Sequence, residues 1–186
     1  LLPQRWPLLL VLSLALALIA GCRDETPVVT ARFIAFDTQI DVSIVGVSRA
    51  DAERAARLLE EDFAFMDRAW HAWDPGPLGR VNQLLPTGEA FVAPPSIMPL
   101  VGLSQSLYEK SGGLFNPAIG GLNHLWGFHG DDVKGRRPPE AREIRRLVAA
   151  DPGMDDVHID GLTLRGSNPA VDLDFSTITK GYGIDL

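Results

Sequence analysis

The chain has 186 residues, which suits one domain, and a formal net charge of −7 at pH 7. This acidic balance argues against nucleic-acid binding, which needs a basic face. The chain has a single cysteine, so no internal disulfide can form and a folded domain must be held together by its core.

The N-terminal segment has the pattern of an export signal. Arg5 is soon followed by a run over 8–20 that is apolar except for Ser13, too short to span a bilayer comfortably but fitting the core of a signal peptide. Small residues then precede Cys22, which resembles a bacterial lipoprotein processing site. We therefore predict a lipoprotein signal peptide over 1–21, lipidation of Cys22 and a polar tether over 22–30. The alternative is an ordinary thiol just past a simple secretory cleavage site.

Hydrophobic periodicity predicts a strand and then a long helix after the tether. Residues 38–45 alternate between apolar and polar, as in a half-buried strand. Ser48 is a suitable N-cap, and apolar residues then recur at helical spacing as far as Trp70. The run Asp74-Pro-Gly-Pro77 ends this helix.

Two more helices and a hairpin are predicted further along. The helices run from about Ser96 to Ser111, where two glycines follow, and from Pro138 to about Ala150. The hairpin turns at Asp160-Gly161. A strand, helices and then more strands indicate an α+β fold, with antiparallel sheet elements packed with helices.

The end of the chain is its most informative segment. Alternating apolar and acidic residues from Asp172 lead through hydroxyl residues into Lys180-Gly181, which predicts a buried strand, a tight turn and a helix. A carboxylate and hard oxygens suit Mg²⁺, and a lysine at a helix start suits phosphate. The alternative is an exposed strand with a capping turn. The polar residues of this turn are Asp174, Ser176, Thr177 and Lys180.

Two other clusters are candidates for ligand binding. Trp73, at the boundary between a helix and a Pro/Gly loop, offers a flat face to a ring, although a tryptophan near a helix end is more often core. The stretch 111–128 interleaves five glycines with aromatic residues, which lets the backbone approach a ligand closely. The alternative for this stretch is a helix cap followed by a turn.

Taken in order, these clusters resemble the ApbE family, the FAD:protein FMN transferases. Asp37, Trp73 and Asn116 depart from the Gly, Tyr and Asp of the family pattern, and Ser176 and Thr179 stand where it has Gly and Ala. The matching segments are Phe36-Asp-Thr38, His71-Ala-Trp73, Ser111-Gly-Gly-Leu-Phe-Asn-Pro117, Leu125-Trp-Gly-Phe128 and Asp174-Phe-Ser-Thr-Ile-Thr-Lys-Gly-Tyr-Gly-Ile-Asp185.

The resemblance implies a set of site residues and an incomplete domain. Residues 31–186 would form part of an FMN transferase domain whose C-terminal part, with the catalytic residues, we expect to be missing, so that this portion alone can be inactive. The backbone carbonyl of Thr177 would bind Mg²⁺. The residues implied to bind FAD are Phe36, Trp73, Leu114, Phe115, Asn116, Asp174 and Lys180.

The same resemblance implies an Mg²⁺-dependent flavin transferase. It would move FMN from FAD to a Thr or Ser hydroxyl of an exported or membrane redox protein and release AMP. The lipid anchor would hold it at the periplasmic face of a bacterial inner membrane. The alternatives are an Mg²⁺-dependent FAD pyrophosphatase, with water as the acceptor, and a flavin-binding lipoprotein without turnover.

Overall fold

The structure is a computed structural model that describes residues 28–128 and 137–186. The predicted signal peptide, Cys22 and most of the predicted tether lie outside the described residues. The first strand, β1 (Val28–Ala35), begins inside the 22–30 segment, so the last three residues of that segment are strand rather than tether. Among the described residues, no helix is both long and apolar enough to cross a bilayer.

The chain opens with a β-hairpin. Strand β1 pairs with β2 (Thr38–Val45) in a two-stranded sheet, which confirms the predicted strand over 38–45. The two-residue loop consists of Phe36 and Asp37, whose φ angles are 52° and 53°. Two successive left-handed residues are the geometry of a type I′ turn, which matches the twist of the flanking strands. The loop therefore fixes the hairpin at a cost in backbone strain at Phe36.

The predicted helices are present, with small shifts at their ends. The long helix α1 (Arg49–Trp70) begins after Ser48, whose hydroxyl accepts a hydrogen bond from the Asp51 N–H at 3.2 Å. The short helix α2 (Pro77–Leu84) is not among the predicted elements, because a Pro/Gly run indicates the end of a helix. A proline at the first helical position also favours helix initiation. The other two predicted helices are α3 (Met98–Lys110) and α5 (Ala141–Ala150).

A second, three-stranded sheet carries the predicted hairpin. Strands β4 (Val157–Asp160) and β5 (Thr163–Gly166) are antiparallel and join at Gly161, and β3 (Phe91–Val92) pairs with the other edge of β5. The order in the sheet is β3-β5-β4.

The predicted strand starting at Asp172 is not formed. Its backbone bonds instead to the glycine-rich stretch: the N–H of Asp172 donates to Ala118 O at 3.1 Å, and the N–H of Gly120 donates to Asp172 O at 2.7 Å. These bonds form a single β-bridge, between Ile119 and Asp172. Strand pairing does not continue, because α4 (Gly120–Trp126) begins directly after Ile119. The final helix, α6 (Ser176–Asp185), starts at Ser176, so Lys180 lies in its second turn and not at its start.

Contacts divide the chain into two units. Among the described residues the first comprises 28–31 and Asp41–Ala56, and the second comprises Arg32–Ile40 and Arg57–Leu186. The second unit contains every residue that the sequence singled out for FAD or Mg²⁺. Its core is built around fully buried side chains, among them Leu78, Leu85, Ile97, Leu100, Leu173 and Phe175.

Candidate functional site

The hairpin loop presents Phe36 in a strained but well-supported conformation. Its N–H donates to Asp67 Oδ1 at 3.0 Å, which ties the loop to the last turn of α1. Its ring stacks on Trp70, with centroids 5.9 Å apart and planes only 7° from parallel. A left-handed, bulky residue is costly, and such strain persists where surrounding contacts over-determine it. The position of the Phe36 ring is therefore fixed by the end of α1.

Trp73 is positioned by two histidines. Nδ1 of His71 accepts the backbone N–H of Trp73 at 3.3 Å and that of Asp74 at 3.1 Å, which fixes the chain just after α1. The Trp73 ring packs against His124 of α4, with centroids 5.2 Å apart. Both the backbone and the ring of Trp73 are thus held.

Asp174 is a buried carboxylate immediately before α6. Its Oδ2 accepts a hydrogen bond from the Asn123 amide at 2.8 Å, and its Oδ1 accepts the Ser176 N–H at 3.0 Å. The positive end of the helix dipole also favours a negative charge there. Each carboxylate oxygen has two lone pairs, so both oxygens keep acceptor capacity for a metal or a donor group.

The segment that carries Asp174 is locked from the other side by Asn82. The Asn82 amide donates to Leu173 O at 2.9 Å, and its Oδ1 accepts the Leu173 N–H at 2.8 Å. Leu173 and Phe175, the two neighbours of Asp174, are completely buried. Their packing holds the backbone on both sides of the Asp174 carboxylate. Asp174 is therefore held on a rigid support.

Four of the predicted residues come together around one cavity. We name it the aromatic cleft; it has a volume of about 330 Å³. Its lining includes Phe36, Trp70, Trp73, Phe128, Asp174 and Lys180. Lys180 lines the cleft and is an exposed residue, so it lies on the solvent side of the cleft. The arrangement combines aromatic faces with one lysine and three carboxylates, those of Asp37, Asp67 and Asp174.

The other predicted residues do not line the aromatic cleft. Leu114 is 92% exposed, and the N–H of Phe115 donates to Ser111 Oγ at 2.9 Å. The Asn116 side chain is engaged within the fold, donating to Pro152 O at 2.8 Å and accepting the Ala118 N–H at 3.0 Å. Thr177 is an exposed residue in the first turn of α6.

The sequence did not predict the roles of three supporting residues. Asp67 and Asn123 hold Phe36 and Asp174, and Asn82 clamps Leu173, over separations of 31, 51 and 91 residues. Only Asp67 gives a signal, since a carboxylate in the last turn of a helix opposes the helix dipole and so suggests a specific partner.

A second cavity of about 850 Å³, named here the side cleft, adjoins the aromatic cleft and shares Ala72 and Trp73 with it. Its lining includes His124, Leu147 and Asp172. Burial raises the pKa of Asp172 to about 6; the nearby His124 acts in the opposite direction, and Asp174 adds to the rise. Asp172 therefore holds its proton more tightly in the folded chain than in the unfolded chain.

This shift predicts a pH-dependent effect of Asp172→Asn on stability. Between the ordinary pKa of 3.8 and the folded pKa of about 6, the folded state keeps a proton that the unfolded state has lost, so stability falls as pH rises. Asparagine has no ionisable group, so it removes this loss of stability. Because the carboxylate is partly solvated, we expect a gain of about 1 kcal/mol in the free energy of unfolding at pH 7.5, and no gain at pH 3.5.

Chemical denaturation at both pH values measures this effect. The exposed Asp160→Asn variant is the matched control and should change stability at neither pH. An equal gain for Asp172→Asn at pH 3.5 and pH 7.5 would show that packing, and not ionisation, is responsible.

The described residues do not by themselves form a complete metal site near the start of α6. Within 28–128 and 137–186, no group of three His, Cys, Asp or Glu side chains converges to form a metal site. Mg²⁺, however, is commonly held by one or two carboxylates together with substrate phosphates and water. The Asp174 carboxylate is a hard oxygen donor of this kind, whereas Thr177, whose carbonyl was predicted to bind Mg²⁺, does not line the aromatic cleft.

Sequence comparison identifies the family. The model of the ApbE family matches residues 36–186, and the chain belongs to that family, which confirms the resemblance found from its motifs. A FAD:protein FMN transferase of Rhodobacter capsulatus is 39% identical over 184 residues, covering 95% of this chain and 34% of the relative. One from Vibrio cholerae is 28% identical, covering 95% of this chain and 53% of the relative.

Structural comparison supports the same fold. The crystal structure of the ApbE protein of Thermotoga maritima superposes with a TM-score of 0.75 at 23% identity, over 86% of this chain and 50% of the other. The predicted α+β class is confirmed by this likeness. The chain thus spans between about a third and just over half of the length of these relatives.

Proposed function

We propose that the protein is a flavin transferase that binds FAD in the aromatic cleft and transfers its FMN half to a Thr or Ser hydroxyl of another protein. The observation that carries this proposal is the convergence of Phe36, Trp73, Asp174 and Lys180 on one cavity. These four come from three separate motifs shared with the ApbE family. The relatives named above are FAD:protein FMN transferases.

The reaction would break the diphosphate of FAD. The acceptor hydroxyl oxygen forms a bond to the FMN-side phosphorus and loses its proton, while the bond from that phosphorus to the bridging oxygen breaks and AMP leaves. Little covalent chemistry is required of the protein, so positioning and charge stabilisation supply most of the acceleration. A bound Mg²⁺ would neutralise phosphate oxygens during this displacement.

The residues of the cleft suit these tasks. The rings of Phe36 and Trp73 offer apolar faces to the flavin ring system, whose geometry favours stacking. The Lys180 ammonium group is a donor for a phosphate oxygen, and charge-assisted bonds of this type are stronger than neutral ones. Asp174, with the Thr177 carbonyl near it in the chain, would hold Mg²⁺ against the diphosphate. The rigid support of Asp174 keeps this geometry fixed.

The test is to incubate the protein, expressed from its complete gene, with FAD, Mg²⁺ and a peptide that contains an acceptor threonine. We expect the peptide to gain the mass of FMN and AMP to appear in equal amount. AMP and free FMN without peptide modification would identify a pyrophosphatase instead. FAD binding without AMP would identify a flavin-binding protein without turnover.

We further propose that Cys22 is lipidated and anchors the protein at the periplasmic face of a bacterial inner membrane, near membrane-attached redox acceptors. The support is the apolar run over 8–20 followed by small residues and the chain's one cysteine. Stable anchoring requires lipid, since the run is short for a membrane span. Cys22→Ser should move most of the protein from the membrane to the soluble fraction, measured by fractionation and immunoblotting. Unchanged partition would contradict lipidation at this residue.

A further inference from the structure

The aromatic cleft has one exposed ring that stands apart from the others. Phe36 is stacked on Trp70, and Trp73 is packed on His124. Phe128 also lines the cleft, but its side chain is 72% exposed, and it makes no such ring contact with any described residue. Its apolar face is therefore available to a ligand.

The backbone of Phe128 is nonetheless fixed. Helix α4 ends at Gly127, which has a left-handed φ of 77°. The N–H of Gly127 donates to His124 O at 2.9 Å, and the N–H of Phe128 donates to Asn123 O at 3.0 Å. A left-handed glycine followed by such a bond is the Schellman type of helix end. The cap sets the direction of the chain and so fixes the backbone from which the Phe128 side chain lines the cleft.

The same cap connects Phe128 to the polar end of the cleft. Asn123 uses its carbonyl to hold the Phe128 N–H and its side-chain amide to hold Asp174 Oδ2 at 2.8 Å. One residue thus positions both an aromatic wall and the carboxylate. Phe128 and Asp174 also line the same cavity.

We propose that Phe128 is a second stacking wall for the isoalloxazine ring of FAD, and that it makes the cleft selective for a flavin over a simple adenine nucleotide. This inference rests on the proposed function. A cavity of about 330 Å³ is at the small end of ligand pockets, so it would accept the flavin ring system and the adjoining phosphates, with the adenosine part of FAD outside it. A three-ring flavin covers more of the exposed Phe128 face than adenine does, and aromatic pairs gain free energy beyond area burial.

The test compares FAD, FMN and ADP binding to Phe128→Ala, in the protein expressed from its complete gene. We expect the affinity for FAD and FMN to fall about tenfold, the quenching of flavin fluorescence on binding to diminish, and the affinity for ADP to stay unchanged. Phe128→Tyr keeps the ring and should restore flavin binding and quenching, which shows that an unfolded variant is not the cause.

Trp126→Ala is the matched control. Trp126 lies in the same helix and is 43% exposed but does not line the cleft, so its replacement should leave flavin affinity unchanged. An equal loss for ADP, no loss for flavins, or the same loss in Trp126→Ala would overturn the inference. If the parent binds FAD and modifies no peptide, the transferase proposal fails while the stacking assignment of Phe128 is still decided by these affinities.

Discussion

Replacing Asp174 by alanine is expected to reduce FMN transfer at least about a hundredfold. The side chain is buried, and its removal leaves the Asn123 amide and the Ser176 N–H without their acceptor. It also removes the one carboxylate near the start of α6 that is oriented into the cleft. Loss of a bond to a charged group costs about 1.5–3 kcal/mol, which corresponds to a factor of roughly ten to a hundred and fifty; lost metal binding adds to this.

Two further variants separate the causes. Asp174→Asn keeps the shape and part of the hydrogen bonding but loses the charge, so it should fold normally and still be strongly impaired at low Mg²⁺. Asp160→Ala removes an exposed acid in the hairpin loop and should leave transfer unchanged. Transfer rates measured at several Mg²⁺ concentrations decide the point; a fully active Asp174→Asn would refute a role for this charge.

Replacing Lys180 by alanine is expected to weaken FAD binding about tenfold. Lys180 lines the cleft from an exposed position, so solvent should screen its contact with the diphosphate and the effect is near the lower end for a charge-assisted bond. The interaction should weaken further with salt. Affinity can be measured by titration of flavin fluorescence.

Lys110→Ala is the control for charge alone, because Lys110 is an exposed lysine at the end of α3 that does not line the cleft. It should leave FAD affinity within about twofold of the parent at each salt concentration. Equal affinities for the Lys180 variant and the parent would mean that the diphosphate binds elsewhere.

Periodicity predicted the elements that bury one face. These are β2 and helix α1, whereas helices α3 and α5 and the β4-β5 hairpin were predicted from proline and glycine signals and a turn sequence. The short helices α2 and α4 were missed because proline and glycine dominate their first residues. Apolar alternation after Asp172 gave a false strand, since the partners of its backbone are Ala118 and Gly120 and the side chain of Asn82 rather than a neighbouring strand. Such partners are set by tertiary packing.

The candidate site was likewise predicted only in part. Phe36, Trp73, Asp174 and Lys180 belong to local motifs, so the sequence alone singled them out. The residues that hold them in place do not belong to these motifs. Asp67, Asn82 and Asn123 form hydrogen bonds with residues far away in the chain. A polar side chain gives no sign in sequence of which backbone group it will satisfy. The left-handed conformation of the loop at Phe36 could not be predicted either, because neither of its two residues is glycine.

A crystal structure of the protein with FAD and Mg²⁺ would test the central claim most directly. The account predicts that the isoalloxazine ring lies in the aromatic cleft between Trp73 and Phe128. It also predicts that the diphosphate lies beside Lys180, with the metal ion near Asp174 and the Thr177 carbonyl. FAD bound in the side cleft, with the aromatic cleft empty, would contradict it.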